Sequence, residues 1–290
     1  MARVFANWSV RIGASALVFL LFLAIAAPYL GTVDPTLFDA GSRDLTPGQA
    51  GEITTLEGDT VKHVFLMGSD SFGRDIYSRV LYGTRVSLIV GLACAAVALA
   101  VGIVCGLLAG YVRWLDGPLM RLMDGIMAIP AILIAIALVA LWRASLPTVI
   151  FAIAIPEIPR VTRLVRSLVL TLREEPYVEA AVSLGTPPLK IMFGHILPNT
   201  IAPLIVQGTY IVGFAILIEA ILSFLGVGLP PDVPTWGNIM AEGRVQFVAY
   251  PHNVFFPGIF LAATVLAVNI LGDGLRDTLD PKLAKRVEPE

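Results

Sequence analysis

Charged side chains are scarce in this chain. Aspartate, glutamate, lysine and arginine make up 14% of its 290 residues, whereas soluble globular domains carry about 25%. Apolar residues reach 57%, and the mean hydropathy is +0.82. So little charge excludes a soluble globular protein and predicts an integral membrane protein folded as one bundle. The net charge of -2 provides no basic surface, so no nucleic-acid partner is expected.

Cysteine and histidine are equally rare. Cys94 and Cys105 lie in one apolar run, so we expect them to be packing residues and not a disulfide. His63, His195 and His252 are scattered, which predicts no metal site. The pattern Gly-x-x-x-x-Gly-Lys-Ser/Thr is absent too, so the chain has no evident loop for nucleotide phosphates. We therefore expect no cofactor bound by this chain and no catalytic residue.

Long apolar runs separated by glycine and proline are what the chain does have. Runs of about 20 apolar residues span a bilayer as helices, and six are predicted, over 10–30, 86–112, 118–141, 146–166, 200–225 and 254–275. Asp116-Gly117-Pro118 is expected to separate the second and third, and Pro198 to precede the fifth. Pro156 interrupts the fourth, which should be kinked and packed inside the bundle. The predicted fold class is an all-α integral membrane protein with six transmembrane helices.

The placement of lysine and arginine predicts the orientation of the chain in the membrane. With the N-terminus inside, 13 of the 20 basic residues fall on the cytoplasmic side and 7 on the outer side. Both termini are then cytoplasmic, with a cytoplasmic loop over 167–198. The first helix is expected to be retained, not cleaved as a signal peptide. The predicted organisation is a first helix and outer loop over 1–85, a core of five helices over 86–282 and a cytoplasmic tail over 283–290.

A polar insert lies within residues 167–198. Glu175 and Pro176 suit the first turn of a helix, where a carboxylate meets the positive end of the dipole. Gly185 permits the left-handed backbone that ends a helix, and Pro187-Pro188 is expected to prevent it from resuming. Its apolar stripe comprises Val178, Ala181, Val182 and Leu184. Because a helix of about two turns is unstable alone in water, it needs neighbouring helices or a soluble protein to pack against.

The insert resembles a motif of a known family. Glu179-Ala180-Ala181, followed by Gly185 and Ile196-Leu197-Pro198, is similar to the EAA loop in the membrane subunits of bacterial ABC importers. Thr186-Pro187-Pro188 departs from that pattern and predicts a stiffer exit from the loop. Other stretches resemble the C-type membrane subunit of the dipeptide, oligopeptide and nickel group: Gly68-Ser69-Asp70, Gly73-Arg74-Asp75, Leu222-Ser223-Phe224-Leu225-Gly226, Trp236-Gly237, Leu271-Gly272-Asp273-Gly274-Leu275-Arg276-Asp277 and Asp280-Pro281.

The resemblance implies a type I importer (MetI-like) permease fold in the bacterial inner membrane. It implies that the chain forms half of a translocation pathway with a second, B-type permease subunit. A periplasmic solute-binding protein would deliver cargo, and two partner ATPase subunits would bind ATP and Mg. The residues implied in coupling to these ATPases are Glu179, Ala180, Ala181, Leu184, Gly185, Ile196, Leu197 and Pro198.

The cargo expected from the resemblance is peptide, with nickel chelate, glutathione or another small solute as alternatives. A rival from another class is a self-contained secondary transporter that uses Glu219 and Asp124 for ion coupling. Such transporters place intramembrane charges in paired repeats, which this sequence does not show. A second rival is an exporter or signalling scaffold that shares the coupling loop.

Several polar residues inside the apolar runs have two interpretations. Glu219 is either a group of the pathway or a buried structural one. Gln207 and Asn269 are expected to bond between helices or to line the pathway. Glycines at four-residue spacing predict a close helix seam, with the second permease subunit as the suggested partner: Gly102, Gly106 and Gly110.

Charged residues near the ends of the runs also have alternatives. Asp70, Arg74 and Asp75 form either a local salt-bridged turn or a contact for the binding protein or second permease, with Trp236 as a further outer contact. Arg121 and Asp124 are expected to pair or to meet helix ends at the inner boundary. A solvated or headgroup-facing helix surface is expected for three arginines at helical spacing, Arg160, Arg163 and Arg166.

Overall fold

The computed structural model describes residues 6–55 and 58–279. Its helices are α1 (Trp8–Ala26), α2 (Ile76–Tyr111), α3 (Arg113–Met127), α4 (Ala131–Leu141), α5 (Leu146–Ala154), α6 (Ile158–Leu172), α7 (Pro176–Ser183), α8 (Pro188–Ile191), α9 (Leu197–Phe224), α10 (Trp236–Gly243) and α11 (His252–Leu279). Strands β1 (Gln49–Thr54) and β2 (Thr60–Phe65) lie between α1 and α2. Short 3-10 turns cover Ala27–Tyr29, Ala40–Ser42, Ile155–Glu157 and Arg244–Gln246, and a π-turn covers Met192–Ile196. The predicted tail and Asp280-Pro281 lie outside the described residues.

Four helical segments of the described chain are each long and apolar enough to cross a bilayer: Trp8–Tyr29, Ile76–Tyr111, Pro188–Phe224 and His252–Leu279. Helices α3 and α4 make a fifth if they are taken as one span bent by 86°. The predicted fourth run corresponds to α5 and α6, divided by the 3-10 turn that contains Pro156. All six predicted runs therefore coincide with helices.

The bent span breaks at places that differ from the prediction. Asp116-Gly117-Pro118 lies within α3, where Asp116 occupies the first turn and faces the positive end of the helix. The chain breaks instead at Val112, which is extended (φ -102°, ψ 99°). It breaks again before α4, which is capped by Pro130. A proline disfavours helical backbone in the residue before it, so the break around Ile129 and Pro130 divides the third predicted run into two helices.

Helix α2 begins at Ile76, ahead of the predicted start at 86. Asp75 caps it by accepting a hydrogen bond from a backbone N–H of the first turn (2.9 Å). The arginines that suggested a loop are satisfied within the protein. Arg79 pairs with Glu242 at 3.3 Å, and Arg85 donates to backbone carbonyls at the end of α1. The predicted domain boundary at 85/86 thus falls inside a helix, because the arginines of its first turns find a carboxylate and backbone carbonyls in segments that are distant in sequence.

The glycine stripe of α2 contacts α6 of the same chain, and not a second subunit as suggested. A Cβ added at Gly102, Gly106 or Gly110 would lie 2.5 to 2.6 Å from the Cβ of a valine on α6. These valines, Val161, Val165 and Val169, are fully buried. Glycine therefore lets the two helix backbones approach within a distance that any larger residue would prevent. We call this contact the glycine–valine seam.

The fifth predicted run starts earlier than Pro198. Pro187 is extended, and Pro188 opens α8, so the two prolines do not prevent the helix from resuming. Proline is well tolerated in the first turn, where its missing N–H would have no helical partner. Helix α8, the π-turn and α9 then continue to Phe224, and Pro198 lies just after the π-turn, in the first residues of α9.

The segment between α1 and α2, which the sequence predicts to lie on the outer side of the membrane, forms a small subdomain that we call the outer subdomain. Strands β1 and β2 pair antiparallel with Gln49 opposite Phe65 and Thr54 opposite Thr60. Ile53 and Phe65 point inward and are buried. The subdomain is joined to the helix bundle at Gly68 and Ser69, whose backbone bonds to Leu45 and to the start of α2. The bundle itself packs α2 against α6 and α9, and α11 against α1 and α9.

Candidate functional site

Helix α7 is a two-turn helix outside the apolar spans, as the sequence predicted. It begins at Pro176 and ends in a left-handed Gly185 with φ +73°. Gly185 N–H donates to the carbonyl of Val182 (2.9 Å), and Thr186 N–H donates to that of Ala181 (3.1 Å). These two bonds are the Schellman arrangement that satisfies the last carbonyls of a helix. The left-handed glycine thus fixes where the chain leaves α7.

One side of α7 packs on its own protein. Val178 is buried and joins a core cluster with Val165 and Val169 of α6 and Ile196 of the π-turn, and Ala181 is buried as well. The short helix is therefore connected to the same α6 that forms the glycine–valine seam with α2.

The other side of α7 faces outward and is apolar. Leu184 is 85% exposed and Val182 is 53% exposed, so these two residues of the predicted stripe do not join the core. Glu179 and Ala180 are also exposed. We define the α7 outer surface as the exposed apolar side chains of α7 and the segment that follows it: Tyr177, Val182, Leu184, Leu189 and Phe193. Exposed apolar side chains grouped in this way are typical of a protein interface.

Among the predicted coupling residues, the structure separates two groups. Ala181 and Ile196 are buried and hold α7 on the bundle, while Leu197 is half-buried. Five face outward: Glu179, Ala180, Leu184, Gly185 and Pro198.

The arginines of α6 are ion-paired, while Arg160 and Arg163 remain partly exposed as expected. Arg166 donates through Nε and Nη2 to both oxygens of Asp116 (2.5 and 2.6 Å). Arg163, one turn earlier, donates a single bond from Nη2 to Oδ1 of Asp124 (2.5 Å), which joins α6 to α3 and agrees with the expectation that Asp124 is paired. Arg160 pairs with Glu157, at 3.1 Å. Sequence spacing indicates only the pairing of Glu157 with Arg160 (i,i+3), whereas Asp116 and Asp124 lie on α3, so their proximity to α6 could not be read from the sequence.

A cavity of about 740 Å³ opens between α6, α9 and α11. Its polar lining includes Gln207 and Asn269, two of the predicted intramembrane polar residues, together with Tyr210 and Asp273. Glu219 does not line it. That carboxylate is fully buried near the end of α9 and accepts a hydrogen bond from Ser223 (2.8 Å), which matches the structural interpretation.

The predicted outer turn is a salt-bridged turn that also reaches a distant element. Asp70 accepts hydrogen bonds from the backbone N–H of Phe72 and Arg74 (both 2.9 Å) and from Nε of Arg74 (2.6 Å). Arg74 and Arg79 both pair with Glu242 of α10. Burial raises the pKa of the Glu242 carboxyl, and the two arginines oppose this shift. This outer cluster joins the start of α2 to α10.

Two of the predicted outer contacts are enclosed by the protein. Trp236 is fully buried, and its Nε1–H donates to the carbonyl of Val80 (3.2 Å). Asp75 is also buried as the cap of α2. The prediction that Trp236 is an outer contact is therefore wrong for this structure, because the indole is used to fasten α10 to α2.

Sequence reasoning missed Arg79, Glu242 and Glu157. Arg79 and Glu157 are fully buried, and Glu242 links the two arginines of the outer cluster. One signal was present: a charged side chain next to an apolar run requires a partner. The partner itself could not be read from spacing, since Arg79 and Glu242 are far apart in the chain.

Comparisons with known proteins agree with this architecture. The model of the family "Binding-protein-dependent transport system inner membrane component" matches residues 98–285. The chain is 46% identical over 277 residues to the probable peptide ABC transporter permease protein y4tQ of Sinorhizobium fredii, which covers 96% of this chain and 90% of that relative. It is 42% identical over 267 residues to the di/tripeptide transport system permease protein DppC of Pseudomonas aeruginosa, covering 91% of this chain and 85% of the relative.

A third relative and a solved structure extend the comparison. The glutathione transport system permease protein GsiD of Pectobacterium atrosepticum is 45% identical over 218 residues, covering 75% of this chain and 72% of the relative. A chain of the MetNI methionine ABC transporter in an inward facing conformation has a TM-score of 0.58 at 18% identity, covering 70% of this chain and 97% of that chain. The predicted MetI-like fold is confirmed. The chain belongs to the family of binding-protein-dependent transport system inner membrane components and is an ABC importer permease.

Proposed function

We propose that this permease forms half of the translocation pathway of an ATP-driven importer of peptides and is coupled to ATPase subunits through α7. The observation that carries the coupling is the two-sided packing of α7. Its inner side is fixed to α6 and the π-turn, and its outer surface is apolar and exposed. ATP hydrolysis takes place in the partner subunits, which hold ATP and Mg.

The route of coupling follows from the contacts of α7. Closure of the ATPases on ATP moves α7, which moves α6 through Val178 and moves α9 through Ile196. Both α6 and α9 line the cavity that contains Gln207. Movement at α7 therefore changes the shape of the pathway without any nucleotide contact in this chain.

Orientation follows from the same assignment. An ATPase partner places α7 in the cytoplasm, and the outer cluster of Arg74, Arg79 and Glu242 lies with the outer subdomain on the periplasmic side. Both termini are then cytoplasmic, in agreement with the distribution of basic residues. A solute-binding protein delivers cargo at the outer subdomain, and a second permease subunit covers the cavity face.

Peptide is the cargo that the relatives favour. Two of the relatives are named for peptides or di/tripeptides and a third for glutathione, which is itself a tripeptide. A self-contained secondary transporter gains no support, because Glu219 lies away from the cavity and Asp124 is paired with Arg163.

The proposal is tested with Gly185→Val in the complete transporter, reconstituted in liposomes with its binding protein. A β-branched residue is strained at φ +73°, so the exit from α7 must change. We expect peptide uptake and the peptide-stimulated part of ATP hydrolysis to be lost together. Normal peptide-stimulated ATP hydrolysis and normal uptake in this variant would contradict the coupling assignment.

Two matched controls separate coupling from strain. Gly194→Val lies in the same segment, but its backbone is not left-handed and a Cβ there meets nothing within 4 Å. Gly226→Val ends α9 in the same Schellman arrangement (φ +79°) at the opposite end of the bundle. Both controls are expected to keep the wild-type ratio of uptake to ATP hydrolysis. Loss of that ratio in Gly226→Val would show that strain alone uncouples the transporter.

A further inference from the structure

Arg160 lies near the middle of the helical segment formed by α5 and α6 and is only partly enclosed by its own chain. It follows the 3-10 turn between α5 and α6, roughly 20 Å along the helix axis from both Leu146 and Leu172. Its side chain is 39% exposed. Tyr210, at the midpoint of α9, lies beside it and is 47% exposed. The guanidinium of Arg160 and the hydroxyl of Tyr210 therefore share one open face between α6 and α9.

Contact of this face with lipid would be unfavourable. A guanidinium exposed to hydrocarbon is costly, so intramembrane arginines face the bundle interior or a water-filled cavity. Tyr210 also lines the cavity between α6, α9 and α11, next to Gln207 and Asn269. Arg160 does not itself line this cavity, but its hydrogen-bond partner Tyr210 does, so the open face of Arg160 lies beside the cavity assigned to the pathway.

The guanidinium is held in a fixed orientation. Its Nη1 donates to both carboxylate oxygens of Glu157 (3.1 and 3.3 Å) and to the hydroxyl of Tyr210 (3.3 Å). Its carbon lies 5.9 Å from the ring centre of Tyr210 and 5.4 Å from that of Phe214. These two rings are themselves stacked, with an angle of 15° between their planes. Glu157 is fully buried, so it acts as a rigid counter-ion behind the arginine.

One edge of the guanidinium remains available. All hydrogen bonds that Arg160 donates within the described residues use Nη1, which leaves Nε and Nη2 on the same side without a partner there. These two donors form the planar fork that matches both oxygens of a carboxylate. The pair between Arg160 and Glu157 uses only Nη1, so Nε and Nη2 are not needed to form it.

We propose that Arg160 binds the carboxylate of the cargo as it passes through the pathway, with Glu157 and Tyr210 as positioning residues. This inference rests on the proposed function, since it names the group of a peptide that this site recognises. A peptide with a free C-terminus carries such a carboxylate, and its C-terminal amide does not.

The test compares the two cargos in the complete transporter, reconstituted in liposomes with ATP and the binding protein. Dialanine and its C-terminal amide are supplied at concentrations that give equal occupancy of the binding protein, which is identical for all variants. Arg160→Gln is expected to lower uptake of the free acid by roughly tenfold or more, as for loss of a charge-assisted hydrogen-bond pair. Uptake of the amide should change much less.

Further variants keep the test valid if Arg160→Gln folds poorly with Glu157 left unpaired. The double variant Glu157→Gln/Arg160→Gln removes both charges and should lose the preference for the acid while still assembling with its partners. Arg160→Lys keeps the charge without the fork and should give an intermediate preference. Arg163→Gln, one turn away and paired with α3, should leave the acid-to-amide ratio unchanged.

The outcomes separate the two levels of the proposal. If uptake of the acid and of the amide falls equally in the single and double variants, the role of Arg160 is a structural ion pair within this chain or with a carboxylate of the second permease. That result would overturn the inference. No change for either cargo would also overturn it. Failure of the wild-type complex to import either cargo with ATP would instead contradict the proposed function.

Discussion

Replacement of Gly106 by alanine tests whether the glycine–valine seam determines the position of α6 against α2. A Cβ at Gly106 would lie 2.5 Å from the Cβ of Val165 and 2.8 Å from the carbonyl oxygen of Thr162. Carbon atoms in contact prefer about 3.5 to 4.0 Å. The helices must therefore separate by about 1 Å, and neither obstructing atom is the free end of a flexible side chain.

The expected cost follows from two opposing effects. Overpacking a closely packed contact costs typically 1 to 3 kcal/mol, whereas exchanging glycine for alanine within a helix stabilises it by about 1 kcal/mol. Gly125→Ala isolates the second effect, because a Cβ at Gly125 in α3 meets nothing within 4 Å. The two variants should thus differ in free energy of unfolding by about 1 to 3 kcal/mol, with Gly106→Ala the less stable.

The assay is reversible denaturant unfolding of the purified chain in detergent, followed by tryptophan fluorescence. The double variant Gly106→Ala/Val165→Gly moves the small residue to the other helix and should recover part of the loss, so the two substitutions will be non-additive. If Gly106→Ala is as stable as Gly125→Ala, the seam does not hold α2 and α6 in contact and the reasoning is refuted.

Three further predictions concern the ends of the bundle. Burial raises the pKa of the Glu242 carboxyl, so the folded state binds this proton more tightly than the unfolded state does. In the wild type this contribution to the free energy of unfolding is therefore lost as the pH rises through the raised pKa. Glu242→Gln should abolish that pH dependence in denaturant titrations. Trp236→Phe removes the bond to Val80 and should cost about 1 kcal/mol in the same unfolding assay; an unchanged midpoint would contradict it. Asp116→Asn weakens the two-bond pair with Arg166 and should cost up to about 1 kcal/mol because the pair is partly exposed, with less effect in high salt, which screens it.

Local chemistry made parts of the structure predictable. Pro176 and Gly185 determine the beginning and end of α7 through proline at the first turn and a left-handed cap, which are effects of neighbouring residues. Pro156 similarly marks the 3-10 turn between α5 and α6. The apolar runs were visible because a bilayer imposes their length.

Pairings between distant segments were not predictable in the same way. The glycine stripe predicted a close helix contact, but a single sequence does not show whether the contacting residue is Val165 of the same chain or a residue of another subunit. Arg79 appeared to belong to a loop because its counter-ion Glu242 lies in α10. Trp236 appeared accessible because the carbonyl that binds its indole is provided by α2. In each case tertiary contacts decided the outcome.

The central claim, that α7 couples this permease to ATPase subunits, is tested most directly by affinity purification from the native membrane. The wild-type chain and Leu184→Asp, which places a charge on the α7 outer surface, are purified in parallel and assayed for co-purifying subunits and for ATP hydrolysis. We predict that the wild type recovers a second permease and two ATPase chains, and that Leu184→Asp retains the permease but loses the ATPases. Recovery of the wild-type chain alone, with transport in liposomes that needs no ATP, would contradict the account.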